Sequence, residues 1–175
     1  MSGRAAIARA PVTTPERSAA EDAHASLRTW LRLLACSSLV EREVRSRLRE
    51  QFAVTLPQFD VLAQLDAAAR DSVQGLTMSE LSRRLMVTNG NLTSLVERLV
   101  GEKLVSRASS PTDRRAQIVR LTAAGKRTLD RMTPAHERWI EELLGGLSAA
   151  DHRAMHHLLG ALRDSIRKSL SREMP

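Results

Sequence analysis

Apolar residues recur at helical spacing along most of this chain and switch to alternation only once. From about Ala20 to Phe52, Leu27, Trp30, Leu31 and Leu34 form one stripe, and Val40, Val44 and Leu48 extend it, which predicts a long helix. Glu41 with Arg45 and Glu43 with Arg47 stand at i,i+4 in the favoured order, so the opposite side reads as a salt-bridged solvent face. Thr55 predicts a cap for the next helix, with Pro57 tolerated in its first turn and Phe59, Leu62 and Leu65 pointing inward. Asp66 to Gln74 reads as a polar connection.

The next stretch is the most informative. Thr77 and Glu80 make a T-x-x-E capping box, and Met78, Leu81 and Leu85 follow at i, i+3 and i+7. After a break at Met86-Val87 a second helix is expected, with Thr88 as its N-cap. Its Leu92, Leu95, Val96 and Leu99 face the first helix, while Asn91, Ser94 and Arg98 occupy the other side. Two short helices, the second with a polar outer face, predict a helix-turn-helix. Alternation then appears in the β-prone runs Leu104 to Ala108 and Gln117 to Leu121. The intervening SSPTDRRA carries turn formers and two arginines. The sum is a winged helix-turn-helix.

Beyond it, Thr122 predicts a cap for a helix carrying Leu129, Met132, His136, Trp139, Ile140 and Leu143, stopped at Gly145-Gly146. Ser148 and Asp151 make another capping box for a last helix with Met155, Leu158, Leu159, Leu162 and Ile166 in line. The fold expected is mainly α with a small β-hairpin wing. Residues 1–18, rich in Ala, Arg, Pro and Thr, read as a disordered tail, and 19–175 as a single domain. Within it, 55–122 is the winged helix-turn-helix, flanked by dimerisation helices over 19–54 and 123–172. Sustained apolar stripes at the ends of a small domain need a partner surface, which points to a homodimer.

Composition sharpens the partner. The chain has 175 residues and a net charge of +7, so a polyanion is a natural ligand. Aromatic content of 2% disfavours a β-sandwich. The single Cys36 excludes an internal disulfide and a cysteine-rich zinc site. No apolar run reaches the length of a membrane span, so no membrane partner is expected and the location expected is cytoplasmic.

The opening T-x-x-E-L, the helix NGNLTSLVERLVGEKLVSR, the wing Asp113-Arg114-Arg115 and the step L-T-A-A-G-K from Leu121 to Lys126 together resemble the MarR (multiple antibiotic resistance regulator) family of bacterial transcription factors. The resemblance implies a dimer on a double-stranded DNA operator, a pseudo-palindrome with half-sites roughly 10 bp apart. Thr88, Asn89, Asn91, Thr93 and Ser94 then lie where base edges are reached, and Arg98 matches a family position. Gly90 lets the helix start approach the DNA closely. Arg83, Arg84, Arg107 and Lys126 read as phosphate clamps or as ordinary surface charges. The family's wing arginine enters the minor groove; here that is Arg115, with Arg114 beside it and Asp113 orienting the tip. The alternative is an Asp-Arg pair that only stabilises a turn.

The resemblance also implies an effector pocket for a small aromatic acid or its coenzyme A thioester, with Trp30, Arg32, Cys36, Phe59 and Leu62 as candidate lining; plain core packing is the alternative for Trp30 and Phe59. No cofactor and no metal are expected. His152 and His156 at i,i+4, with His157 adjacent, lack the further ligands of a structural zinc site. Cys36, placed amid Leu and Ala on a buried stripe, is expected to be unreactive. There is no G-x-S-x-G, no phosphate-binding glycine loop and no catalytic constellation of the five histidines, so an enzyme is not expected. A metal- or redox-responsive regulator and an architectural DNA-binding protein without sequence preference stay open as competitors. The reading is a ligand-responsive transcriptional repressor.

Overall fold

Helix caps and a small sheet organise the described residues. The computed structural model describes residues 15–109 and 116–172, with side chains from residue 24 onward apart from that of Asn89. The elements are α1 (Pro15–Phe52), α2 (Leu56–Arg70), β1 (Leu76–Thr77), α3 (Met78–Leu85), α4 (Asn89–Gly101), β2 (Val105–Ser109), β3 (Gln117–Leu121), α5 (Ala123–Leu144) and α6 (Ala149–Arg172). The chain divides into two compact units within α1, between Glu43 and Val44. Helix α1 begins at Pro15, before the Ala20 expected, and residues 1–14 of the expected tail lie outside the described residues.

In the first unit, Leu27, Trp30, Leu31, Leu34 and Leu39 are all exposed, Trp30 by 55%. In the second, Val44 and Leu48 on α1 are buried with Val61, Leu62 and Leu65 of α2, Leu81 of α3, Leu92, Val96 and Leu99 of α4, and Leu129, Met132 and Trp139 of α5. Helix α2 is the hub, packing on α3, α4, α5 and β3. It runs on to Arg70, so the polar connection expected from Asp66 begins later. Asp66 is 6% exposed inside the helix, where it meets Arg70 at 2.9 Å and Lys126 of α5 at 3.1 Å. Helix α6 has no buried residue, and Leu158, Leu159, Leu162, Ile166 and Leu170 are exposed.

Both expected capping boxes form. Glu80 N–H donates to Thr77 Oγ1 at 3.2 Å while Thr77 N–H donates to Glu80 Oε2 at 2.8 Å. The Thr77 N–H, and with it the Thr77 hydroxyl, donates to the Glu80 carboxylate and holds that carboxyl below its ordinary range. Ser148 and Asp151 repeat the motif on α6, with the same effect on the Asp151 carboxyl. Thr88 takes the N-cap position of α4, but its side chain makes no cap hydrogen bond.

The sheet has the order β1-β3-β2, all antiparallel. The hairpin is the expected one, with Val105 opposite Leu121 and Ser109 opposite Gln117. The two-residue β1, pairing Leu76 with Val119, has too little length to show an alternation in sequence. Thr122 joins the hairpin to α5: its hydroxyl reaches the carbonyls of Lys103 and Leu104 at 2.8 and 3.0 Å and accepts from Gly125 N–H at 3.0 Å. A Cβ at Gly125 would lie 2.0 Å from the Leu104 carbonyl, so only glycine permits this approach.

The His136 ring lies 4.7 Å from that of Phe59, across the α2–α5 contact. Burial pushes the imidazole below its ordinary value of 6.5, and Glu137 only partly opposes this. The unfolded chain therefore takes up the proton more readily. Stability present above pH 6.5 is lost as the pH falls through that value toward the depressed one. Urea midpoints measured between pH 8 and pH 5 should fall more steeply for the native protein than for His136→Gln, and parallel curves would rule out this contribution.

Candidate nucleic-acid interface

Helix α4 is fixed on one side and open on the other. Leu92, Val96 and Leu99 are buried and Leu95 is half-buried, while Gly90, Asn91, Ser94 and Arg98 are exposed. Thr88 is exposed and Thr93 half-buried. The Asn89 side chain lies outside what is described. With no acidic residue in its first turn and no hydroxyl cap from Thr88, α4 directs its first N–H groups and the positive end of its dipole outward. That suits an approaching phosphate or a base edge. A Cβ at Gly90 would meet nothing of its own chain within 4 Å, so the fold does not require glycine there.

Exposed cations lie on the elements packed against α4. Arg83 and Arg84 are exposed in the last turn of α3, and Arg107 is exposed on β2. Arg98 is exposed and reaches Glu102 at 3.4 Å. Lys126, read as a phosphate clamp or an ordinary surface charge, is paired within its own chain. Its ammonium lies 2.6 Å from Asp130 and 3.1 Å from buried Asp66, and these carboxylates, Asp130 first, raise its pKa. It braces α5 against α2. Asp113, Arg114 and Arg115 lie outside the described residues.

A contact chain that sequence reading missed anchors the far end of α4. Thr55 N–H and hydroxyl both donate to Gln58 Oε1 at 2.9 Å, and Gln58 Nε2 donates to Glu102 Oε2 at 3.2 Å. Gln58 is buried, so the α2 cap is tied directly to the turn after α4 and through Glu102 to Arg98. The T-x-x-Q spacing of Thr55 and Gln58 was the available signal.

The expected effector residues separate. Phe59 and Leu62 are core: Leu62 has no exposed surface and Phe59 stacks on His136, so neither offers a free wall to a ligand. Trp30, Arg32 and Cys36 are exposed on α1. The expectation of a buried, shielded Cys36 is thereby corrected. Among the cavities open to solvent is one of about 360 Å³ lined by Arg45, Arg49, Thr55, Pro57, Val87, Asn91, Leu92 and Leu95. It puts two arginines and an apolar floor against the back of α4. His152 is half-buried and His156 and His157 are exposed; among the described residues no three metal-ligating side chains gather. No described helix is long and apolar enough to cross a membrane.

A sequence profile of the MarR family matches residues 54–116. The transcriptional activatory protein BadR of Rhodopseudomonas palustris is 29% identical over 143 residues, covering 81% of this chain and 79% of its own. Several other curated relatives are matched over between 49% and 65% of their length, so the chain spans about half to two thirds of them. The crystal structure of a MarR family transcriptional regulator from Silicibacter pomeroyi has a TM-score of 0.70 and 32% identity, covering 83% of this chain and 97% of that one. A mutant E. coli MarR complexed with operator DNA has a TM-score of 0.68 and 26% identity, over 78% of this chain and 95% of that one. These relatives are regulators of transcription, not enzymes. The profile falls on the winged helix-turn-helix, and the structural match extends over the helices on either side. The chain belongs to the MarR family: it is a winged-helix, DNA-binding regulator of transcription.

Proposed function

We propose that this protein is a cytoplasmic, homodimeric repressor that grips a pseudo-palindromic operator and releases it when a small aromatic acid, free or as its coenzyme A thioester, binds. The observation that carries the DNA reading is the open polar face of α4, with Asn91, Ser94 and Arg98 set outward by the buried Leu92, Val96 and Leu99 and flanked by Arg83 and Arg84. Asn91 offers the amide pair that matches adenine, with Thr88, Asn89, Thr93 and Ser94 as neighbouring contacts. Arg115 takes the minor groove, with Asp113 and Arg114 shaping the tip.

Supporting the dimer are the apolar faces of α1 and α6, whose exposure no lone soluble chain favours. Supporting the effector is the cavity behind α4. Its volume suits one ring, Leu92, Leu95, Val87 and Pro57 supply apolar walls, and Arg45 and Arg49 supply the charge a carboxylate needs. Because Asn91 lines this cavity and also belongs to the polar face of α4, a ligand there shifts the helix that reads DNA.

Four measurements test this reading. Arg115→Ala should weaken operator binding and make the salt dependence shallower by about one unit of slope, while Ser94→Ala should change base preference with the slope nearly native. An Arg115→Ala protein with native affinity and slope would reduce the wing tip to a turn. Replacing Leu159 and Leu162 together with Glu should turn a dimer into a monomer in light scattering; a native protein already monomeric at micromolar concentration sinks the dimer. Thermal-shift screening against aromatic acids and their coenzyme A esters should find a ligand adding about 2.7 kcal/mol at 100 times its Kd. Operator DNA must weaken that ligand by the factor by which the ligand weakens DNA, and equal affinities with and without DNA would exclude it as the effector.

A further inference from the structure

We infer that Met86, in the turn between α3 and α4, is a specificity-determining contact that reads the C5 methyl group of a thymine at the edge of each half-site.

Met86 is 92% exposed, more than any other large hydrophobic side chain among the described residues. It therefore adds nothing to the core. Its backbone is left-handed, with φ 54° and ψ 37°, a conformation that costs any residue with a Cβ and suits glycine. Neither packing nor local geometry selects methionine here. A single exposed apolar side chain is ordinary on a protein surface, but a long one on a left-handed turn just ahead of the recognition helix is placed to meet what that helix meets.

The turn is also rigid. Met86 N–H donates to the Ser82 carbonyl, Val87 N–H donates to the same carbonyl at 3.2 Å, and the Ser82 hydroxyl donates to the Val87 carbonyl at 2.6 Å. One serine thus clamps the backbone on both sides of the Met86 side chain. Met86 stands two residues before the α4 N-cap and two after exposed Arg84, and the first turn of α4 that follows is exposed at Gly90 and Asn91. That is the end of the recognition helix that enters the major groove. Exposed Arg83 and Arg84 end α3 just before it, and α4 has no acidic residue in its first turn, which favours DNA over an apolar protein partner. In that groove thymine alone presents a methyl group, and the flexible thioether conforms to it. The polar side chains of α4 read hydrogen-bonding edges; Met86 supplies the apolar contact they lack.

The test uses the full-length protein and duplexes it selects from a random pool, with each thymine replaced in turn by deoxyuridine. Native protein should lose about fourfold in affinity at one thymine per half-site, the effect of one methyl group leaving an apolar contact. Met86→Gly should bind the all-thymine duplex about five- to tenfold more weakly, show no loss at that deoxyuridine, and keep the native salt slope. Its melting temperature should equal or exceed the native one, because glycine relieves the left-handed turn, so a binding defect is separable from a folding defect. Met86→Leu should restore most of the affinity and the sensitivity to deoxyuridine. A Met86→Gly protein with native affinity, or one equally weakened on every duplex with deoxyuridine sensitivity intact, overturns the assignment.

Discussion

Asp66 is taken out of water on α2 and meets two cations, Arg70 one turn on and Lys126 on α5. A buried carboxylate in such a place is tolerable only when its charge is answered, and losing one partner leaves the charge uncompensated. The pair with Lys126 therefore fixes how α5 lies on α2. Because α2 also packs on α3, α4 and β3, that one constraint carries through to the helix-turn-helix and the sheet. The stack of Phe59 on His136 crosses the same α2–α5 contact and adds a second, apolar tie.

The recognition helix is held more firmly at one end than at the other. At its C-terminal side, Glu102 is bound by buried Gln58 and pairs with Arg98. At its N-terminal side, Thr88 makes no hydroxyl cap and Gly90 borders open space. An anchored rear and an open front suit a helix whose leading turns must fit a ligand that arrives from outside.

Most of the local architecture was legible in sequence because it is built from short-range chemistry. The Thr77–Glu80 and Ser148–Asp151 boxes, the Thr122 cap and the hairpin are each contained in a few residues. What escaped depends on pairings across the chain. Lys126 shows an i,i+4 relation to Asp130 in sequence, but nothing local announces Asp66, so it read as a surface cation. Phe59 and Leu62 had the right chemistry for a pocket, and only three-dimensional packing reveals that they are filled on every side. Cys36 reads as buried from its apolar neighbours, yet it lies exposed on α1, where a stripe in sequence does not say whether anything covers it. For the polar face of α4, helical periodicity was sufficient: the exposure of Asn91, Ser94 and Arg98 follows from the burial of Leu92, Val96 and Leu99.

The short β1 strand has a bearing on how the protein reaches its fold. Pairing Leu76 with Val119 closes a loop that contains α3, α4 and β2 in full. Closing so long a loop costs chain entropy before its contacts repay it, whereas the β2–β3 hairpin and the helices form from near neighbours. The recognition helix is thus enclosed by an order of assembly: hairpin first, β1 onto its free edge last. Once shut, the loop makes helix-turn-helix and wing one cooperative unit, so a lesion in β3 unfastens the reading helix without touching it.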